Sequence, residues 1–291
     1  MTLSNHENIE LEEVSPRVVA NTSGLPDKKG FKKSGNFGAV SLGTYAIAID
    51  SGRSVEALRI FRKKYEKYFN EPSKYFFLTH SHTDHRDGAG AYKDCTMICS
   101  QKLADIMPKT FKLSSWDIIT FDDKYVIEEQ DLSIEFHHTG GHTAGSSFLY
   151  FPSEKVVFAG DLVLVQYPYL TFTSDRTCNF DEWITALNQM NTLSVDTIIP
   201  GHGHIVDGKS ELEKHLKMYQ TFKAVVKEAI KENRKPNAIE LPNLEYIEDI
   251  MTNYLPTLNP KQQKWWENAL AAGQQKNLIN LYKFYKGVRG S

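Results

Sequence analysis

The run His80-Ser81-His82-Thr83-Asp84-His85 sets four potential metal ligands within six residues. Neutral imidazoles and a carboxylate suit a divalent first-row metal. The run follows Tyr75-Phe76-Phe77-Leu78-Thr79, which reads as a buried strand. After it, Arg86-Asp87-Gly88-Ala89-Gly90 supplies the glycines for the turn that lets alternate ligands converge. Four ligands this dense overfill one catalytic metal site, which keeps an open position. The run therefore predicts two metals, or one metal and a catalytic carboxylate.

A chain of 291 residues with 41% hydrophobic and 12% aromatic side chains has room for one large domain or two modest ones. Its net charge of −2 gives no global argument for nucleic acid or membrane. The segment Met1 to Glu7 is polar and lacks an apolar signal region, and no stretch approaches the roughly 18 apolar residues of a membrane helix. The expectation is a cytoplasmic protein with no membrane contact. Three cysteines form no even disulfide framework. Cys95 and Cys99 are expected as buried thiols on one face of a strand, while Cys178 sits in a polar loop where it could be exposed and is given no catalytic role.

Strands are expected at Arg17 to Asn21, Phe37 to Ser41, Thr44 to Asp50, Tyr75 to Thr79, Thr96 to Ser100, Asp117 to Phe121, Leu132 to Thr139, Ser146 to Phe151, Lys155 to Ala159 and Thr197 to Pro200. Helical spacing of apolar residues predicts helices over Val55 to Phe69 and Phe180 to Leu193. Strands in two batches, separated by helices, favour sheets packed on each other with helices outside. Near Gly208 the pattern changes, and residues 209–291 read as helical throughout. Ser210 to Glu232 carries Leu212, Leu216, Tyr219, Phe222, Val226 and Ile230 on one stripe, and Asn259-Pro260 opens a last helix through Trp265, Trp266 and Leu270. This predicts a unit of residues 1–208 and a helical extension of residues 209–291 packed on it. The extension holds 14 Lys and Arg against 9 Asp and Glu, an excess that a solvated helix face explains better than a nucleic-acid site.

Three later positions repeat one pattern, a lone His or Asp beside glycine just after a β-like run: Gly141-His142-Thr143, Gly160-Asp161 and Gly201-His202-Gly203. Glycine allows the sharp turns that aim a side chain back across strand ends. Of the other histidines, His137 and His138 are expected within a strand, one inward and one outward. His6 and His215 are expected on the surface, and His204 as a loop residue.

The order His-x-His-x-Asp-His, Gly-His-Thr, Gly-Asp, Gly-His-Gly, at gaps of 57, 19 and 41 residues, resembles the metallo-β-lactamase superfamily from about Val18 to Gly208. The resemblance implies an α+β fold, a four-layer αββα sandwich here with a C-terminal helical extension, and a site along one edge of the sheets. By position it implies that His80, His82 and His142 hold a first metal, that Asp84, His85 and His202 hold a second, and that Asp161 bridges both. Zinc is the first expectation, with iron or manganese also suited to His/Asp ligands. Two such ions share a water and lower its pKa, and Asp84 is the candidate proton shuttle.

The fold alone does not choose a substrate. The bridging Asp161, and the lack of a Cys in any ligand position, set the chain apart from true metallo-β-lactamases and nearer to glyoxalase II, lactonases and tRNA-processing phosphodiesterases. Tyr167, Tyr169 and Phe172 follow Asp161 and are candidate pocket-lining residues. The expected function is a dinuclear metal-dependent hydrolase that turns a metal-bridging hydroxide on a small carbonyl substrate: thioester, lactone, ester or β-lactam. A mononuclear-iron sulfur dioxygenase and a phosphodiesterase or nuclease are the alternatives.

Overall fold

Neighbouring residues of each central strand face two different hydrophobic cores, and this period-two alternation dictates the layering. The computed structural model describes residues 9–22, 34–165 and 176–287. Tyr167, Tyr169, Phe172 and His6 lie outside the described residues.

The first sheet runs in chain order through β1 (Glu12–Ser15), β2 (Val18–Asn21), β3 (Phe37–Ser41), β4 (Ala46–Ile49), β5 (Ser73–Phe77), β6 (Thr96–Ser100) and β7 (Ile118–Phe121). It is antiparallel from β1 to β4 and parallel from β4 to β7. The second sheet is built from β8 (Lys124–Glu129), β9 (Leu132–His138), β10 (Ser147–Phe151), β11 (Val156–Leu164), β12 (Thr197–His202) and β13 (Val206–Asp207), in reverse spatial order. Only its β11–β12 pair is parallel.

Val40, Ile47, Ile49, Phe77 and Ile98 of the first sheet meet Phe136, Leu149, Phe151, Phe158 and Ile199 of the second in a core between the sheets. The intervening Ala39, Ala48, Phe76, Met97 and Cys99 turn to the other face. There they pack under Ala57, Leu58, Phe61 and Tyr65 of helix α1 (Val55–Phe69). That helix is capped at its start by Ser54, whose side chain accepts from Ala57 N, and ends at Asn70 in the left-handed conformation.

On the far side of the second sheet, Phe148, Val157, Ala159 and Ile198 share a core with α4 (Phe180–Thr192), α5 (Gly208–Lys231), α6 (Glu245–Asp249) and α7 (Pro260–Tyr285). The layers are therefore αββα, as the resemblance implies. The C-terminal helices are continuous with this outer core: Trp266, Leu270, Leu278 and Leu281 of α7 are buried in it, while Trp265 stays exposed. Asn259 caps α7 through a reciprocal capping box with Gln262. Among the described residues no helix is long and apolar enough to cross a membrane.

Several expectations need correction. His215 is fully buried rather than on the surface, because it falls on the apolar stripe of α5 between Leu212 and Tyr219. Cys178 is buried, in the same core as Phe180 of α4. The strands expected to end before Gly160 and Gly201 instead run on to Leu164 and His202, with register shifts on either side of Gly160. Asp161 and His202 thus sit within irregular strand ends rather than in turns after them. Strands β1, β8 and β13 went unread. In β8, Tyr125 and Ile127 pack toward the inter-sheet core while Lys124 and Val126 face out.

Candidate metal centre

At one end of the two sheets, five histidines and two aspartates converge from five segments. His80 and His82 follow β5, and Asp84 and His85 lie on the short helix α2 (Thr83–Arg86). His142 follows β9, Asp161 is on β11 and His202 ends β12. His142 is aimed by the glycines before it. Gly141 has φ +100, and a Cβ there would run into the backbone of Trp183, so this close turn requires glycine. The Trp183 ring packs edge-on against the His142 imidazole, 5.1 Å between centroids.

The seven side chains form two clusters that meet at Asp161. Its Oδ2 lies 3.2 Å from His142 Nε2 and 3.6 Å from His80 Nε2. Its Oδ1 lies 3.0 Å from His85 Nε2 and 3.4 Å from His202 Nε2. His82 Nδ1 is 2.9 Å from His142 Nε2, and Asp84 Oδ2 is 3.3 Å from His202 Nε2. His80, His82, His142 and Asp161 offer ligand atoms within 4.8 Å of one another, as do Asp84, His85 and His202.

A residue not singled out from the sequence organises the first turn. Asp50, buried at the end of β4, accepts from Thr79 N at 2.9 Å and Thr79 Oγ1 at 2.8 Å, and its Oδ2 is 2.7 Å from His85 Nδ1. Thr79 Oγ1 spends its proton on Asp50, so at 3.0 Å it accepts from His80 Nδ1–H. Both His80 and His85 are thereby left with Nε2 turned toward Asp161. Asp50, His80 and His85 also lie close enough together to form a metal-sized group. The oxygens of Asp50 are already taken by Thr79 and His85, so Asp50 is an orienting carboxylate there. The only sequence signal for it is a carboxylate ending an apolar strand, before Ser51-Gly52.

The donor set fits divalent cations on a structural criterion. Among the described residues His80 Nε2 is buried without a hydrogen-bond partner, and a buried polar atom in that state is costly. Four imidazole nitrogens facing one buried carboxylate are the arrangement that cations satisfy. The electrostatics agree. Burial, then the neighbouring His85, hold His80 well below its ordinary pKa, and burial likewise lowers His142. Burial also opposes charge on His85, but Asp161 and Asp50 outweigh it and raise that imidazole well above its usual value. For Asp161, burial is overcome by the surrounding His202, His85, His80 and His142, which hold the carboxyl well below the usual range.

Asp84 is at the mouth of the centre, with its side chain 18% exposed and Oδ1 3.9 Å from Arg53 Nη2. Burial works against its ionisation, but the hydrogen bond from His202 prevails and brings the carboxyl down to about 2. His137 is stacked on Phe148 and bonded to Glu135 and Gln189, away from the clusters. His138 is half-buried and faces the Ala144 carbonyl, and His204 is exposed in a loop.

A model of the metallo-beta-lactamase superfamily matches residues 32–202. A Beta-lactamase-like protein 2 homolog from Caenorhabditis elegans is 23% identical over 195 residues, which is 65% of this chain and 63% of the relative. A hydroxyacylglutathione hydrolase from Tolumonas auensis is 25% identical over 176 residues, 59% of this chain and 62% of that protein. The matches thus span less than two thirds of the length of these curated relatives. Among solved structures, a metallo-beta-lactamase from Pontibacter korlensis shares the fold, with a TM-score of 0.61 at 23% identity over 72% of this chain and 98% of that one.

Proposed function

The chain belongs to the metallo-beta-lactamase superfamily, and we propose that within it this is a cytoplasmic, dinuclear metal-dependent hydrolase of a small carbonyl substrate: a thioester, lactone, ester or β-lactam. The observation that carries this reading is the division of Asp161, whose Oδ2 faces His80 and His142 while Oδ1 faces His85 and His202. A carboxylate so placed is suited to bridge two ions. His80, His82 and His142 would hold the first and Asp84, His85 and His202 the second, with zinc the first choice and iron or manganese compatible. When bound, such a pair lowers the pKa of a water and polarises a carbonyl oxygen.

The chain's own groups supply the remainder. Asp50 engages His85 at Nδ1 and Thr79 Oγ1 engages His80 at Nδ1, so each ring turns Nε2 toward the centre, and on His85 a cation would displace the second proton that Asp161 and Asp50 favour there. Asp84 is ionised at working pH and reaches the mouth, where its Oδ1 can take the proton an attacking water gives up. Residues 1–208 form the catalytic unit in this reading, and residues 209–291 close its outer core. The convergence of Asp84, His85 and His202 as a second cluster supports two ions over the single iron of a sulfur dioxygenase. The similarity to a hydroxyacylglutathione hydrolase puts thioesters first among substrates to try.

Metal analysis combined with a chromogenic panel of thioesters, lactones, lactams and phosphodiesters tests the proposal. Two divalent ions per chain and chelator-sensitive turnover of a carbonyl substrate are expected. One iron per chain with O₂ uptake on a persulfide would overturn it, as would a metal-free chain.

A further inference from the structure

Strand β11 carries Asp161 and runs on to Leu164, but its ladder with β10 closes at Phe158. Beyond that point its buried carbonyls need other donors. Side chains of three different helices provide them. Leu162 O accepts from Trp183 Nε1 of α4 at 2.9 Å. Leu164 O accepts from the Tyr246 hydroxyl of α6 at 2.6 Å and lies 3.0 Å from His215 Nε2 of α5. The His215 ring is steadied at its other nitrogen, with Nδ1 3.0 Å from Glu211 O and 3.3 Å from Glu211 Oε1. Leu164 N is also 3.4 Å from His215 Nε2, so in either tautomer the ring engages the backbone of Leu164.

The opposite side of this segment leads to a candidate ligand. Leu164 pairs with His202 across the β11–β12 ladder, and Val165 N donates to His202 O at 3.0 Å. The Leu164 carbonyl is thus three residues from Asp161 along the chain and one ladder step from His202. Any shift of Leu164 moves the two groups that face each other through Asp161 Oδ1 and His202 Nε2.

We infer that Tyr246 and His215 are positioning residues for the metal centre. They act from the C-terminal helices through the backbone of Leu164 to set the spacing of Asp161 and His202. The inference rests on the hydrolase reading only in taking those two residues as ligands. A phenylalanine at 246 would keep the ring and remove the hydroxyl that Leu164 O accepts from. Tyr219 of α5 provides the matched control. It is fully buried in the same core, and among the described residues its hydroxyl has no hydrogen-bond partner.

The full-length chain is loaded with zinc, its stoichiometry measured by elemental mass spectrometry and its affinities by competition with a chromophoric chelator. In Tyr246→Phe one of the two zinc ions is expected to bind about tenfold more weakly, the loss typical when an outer partner of a ligand is removed. His215→Gln should weaken the same ion, and Tyr219→Phe should bind both ions like the parent. Parental affinity for both ions in Tyr246→Phe, or an equal loss in Tyr219→Phe, would overturn the inference and leave the hydrolase reading standing. A parental chain that takes up fewer than two zinc ions defeats the dinuclear reading and this inference with it.

Discussion

Asp50 Oδ2 lies 2.7 Å from His85 Nδ1, and the same carboxylate takes both the backbone N–H and the hydroxyl of Thr79. One side chain thereby fixes the ring of His85 directly and that of His80 through Thr79 Oγ1. An asparagine can accept at one terminal atom only, and its NH₂ would confront a donor. Asp50→Asn is expected to weaken zinc binding by about 10- to 100-fold with the fold retained. Chelator competition, with circular dichroism as the check on folding, measures it; unchanged affinity would remove Asp50 from the centre's support.

Gly35 packs closely against the Nε2 end of the His85 ring. A Cβ at this position would press on Nε2, Cε1 and Cδ2 of His85, well inside van der Waals contact. The loop cannot withdraw easily, because Gly35 N donates to Asp84 O at 3.0 Å and Asn36 Nδ2 donates to Pro200 O and Gly203 O. The ring cannot withdraw either, being held by Asp50. Gly35→Ala should cost about 1–3 kcal/mol of stability by overpacking, and zinc should be lost at the His85 cluster before the His142 cluster. Thermal melts and metal stoichiometry read the two effects separately.

The residues proposed as ligands stand out in the sequence because each combines a metal-binding side chain with an adjacent glycine or with the dense His80–His85 run. Their supports do not, since they depend on contacts distant in sequence. Gly35 meets His85 across fifty residues of chain, and Asp50 becomes an orienter only when β5 brings Thr79 beside it. His215 was legible in principle: it lies three residues after Leu212 and four before Tyr219, on the buried face. Sheets packed on each other with helices outside were legible in the two batches of strands separated by helices, and the αββα order in the resemblance carried by the motifs. The β11 extension was not, because its last residues are held by helix side chains in place of β10.

Stability of the metal-free chain should peak near the ordinary histidine pKa of about 6.5. His80 and His142 are held below that value by burial. Unfolding therefore lets them bind protons, and the stability they contribute above about pH 6.5 is lost as the pH falls below it. His85 has the opposite sign. Its pKa is raised by Asp161 and Asp50 against the cost of burial, so its contribution is complete below about 6.5 and is lost as the pH rises through the raised value. Each group changes stability by about 1.4 kcal/mol per pH unit where it titrates in only one state. His137, also lowered by burial, joins His80 and His142, and with three groups on the acid side against one on the alkaline side the acid limb should be steeper. Urea titrations of chelator-treated protein from pH 5 to 9 test this; a stability that rises steadily toward pH 5 would contradict the assignment.

Asp84 faces two ways, with Oδ2 toward His202 and Oδ1 toward Arg53 at the mouth. Its carboxyl, at about 2, is ionised at neutral pH, the state a proton acceptor requires. Asp84→Asn keeps an oxygen that can face the second cluster but removes the basic site. With zinc in excess to hold both ions, kcat on the best substrate of the panel should fall by about 100-fold or more, while KM changes little. Loss of an ion alone would be restored by raising zinc. Loss of the proton acceptor would not. Turnover that returns to the parental rate once two ions are bound would limit Asp84 to a ligand's role.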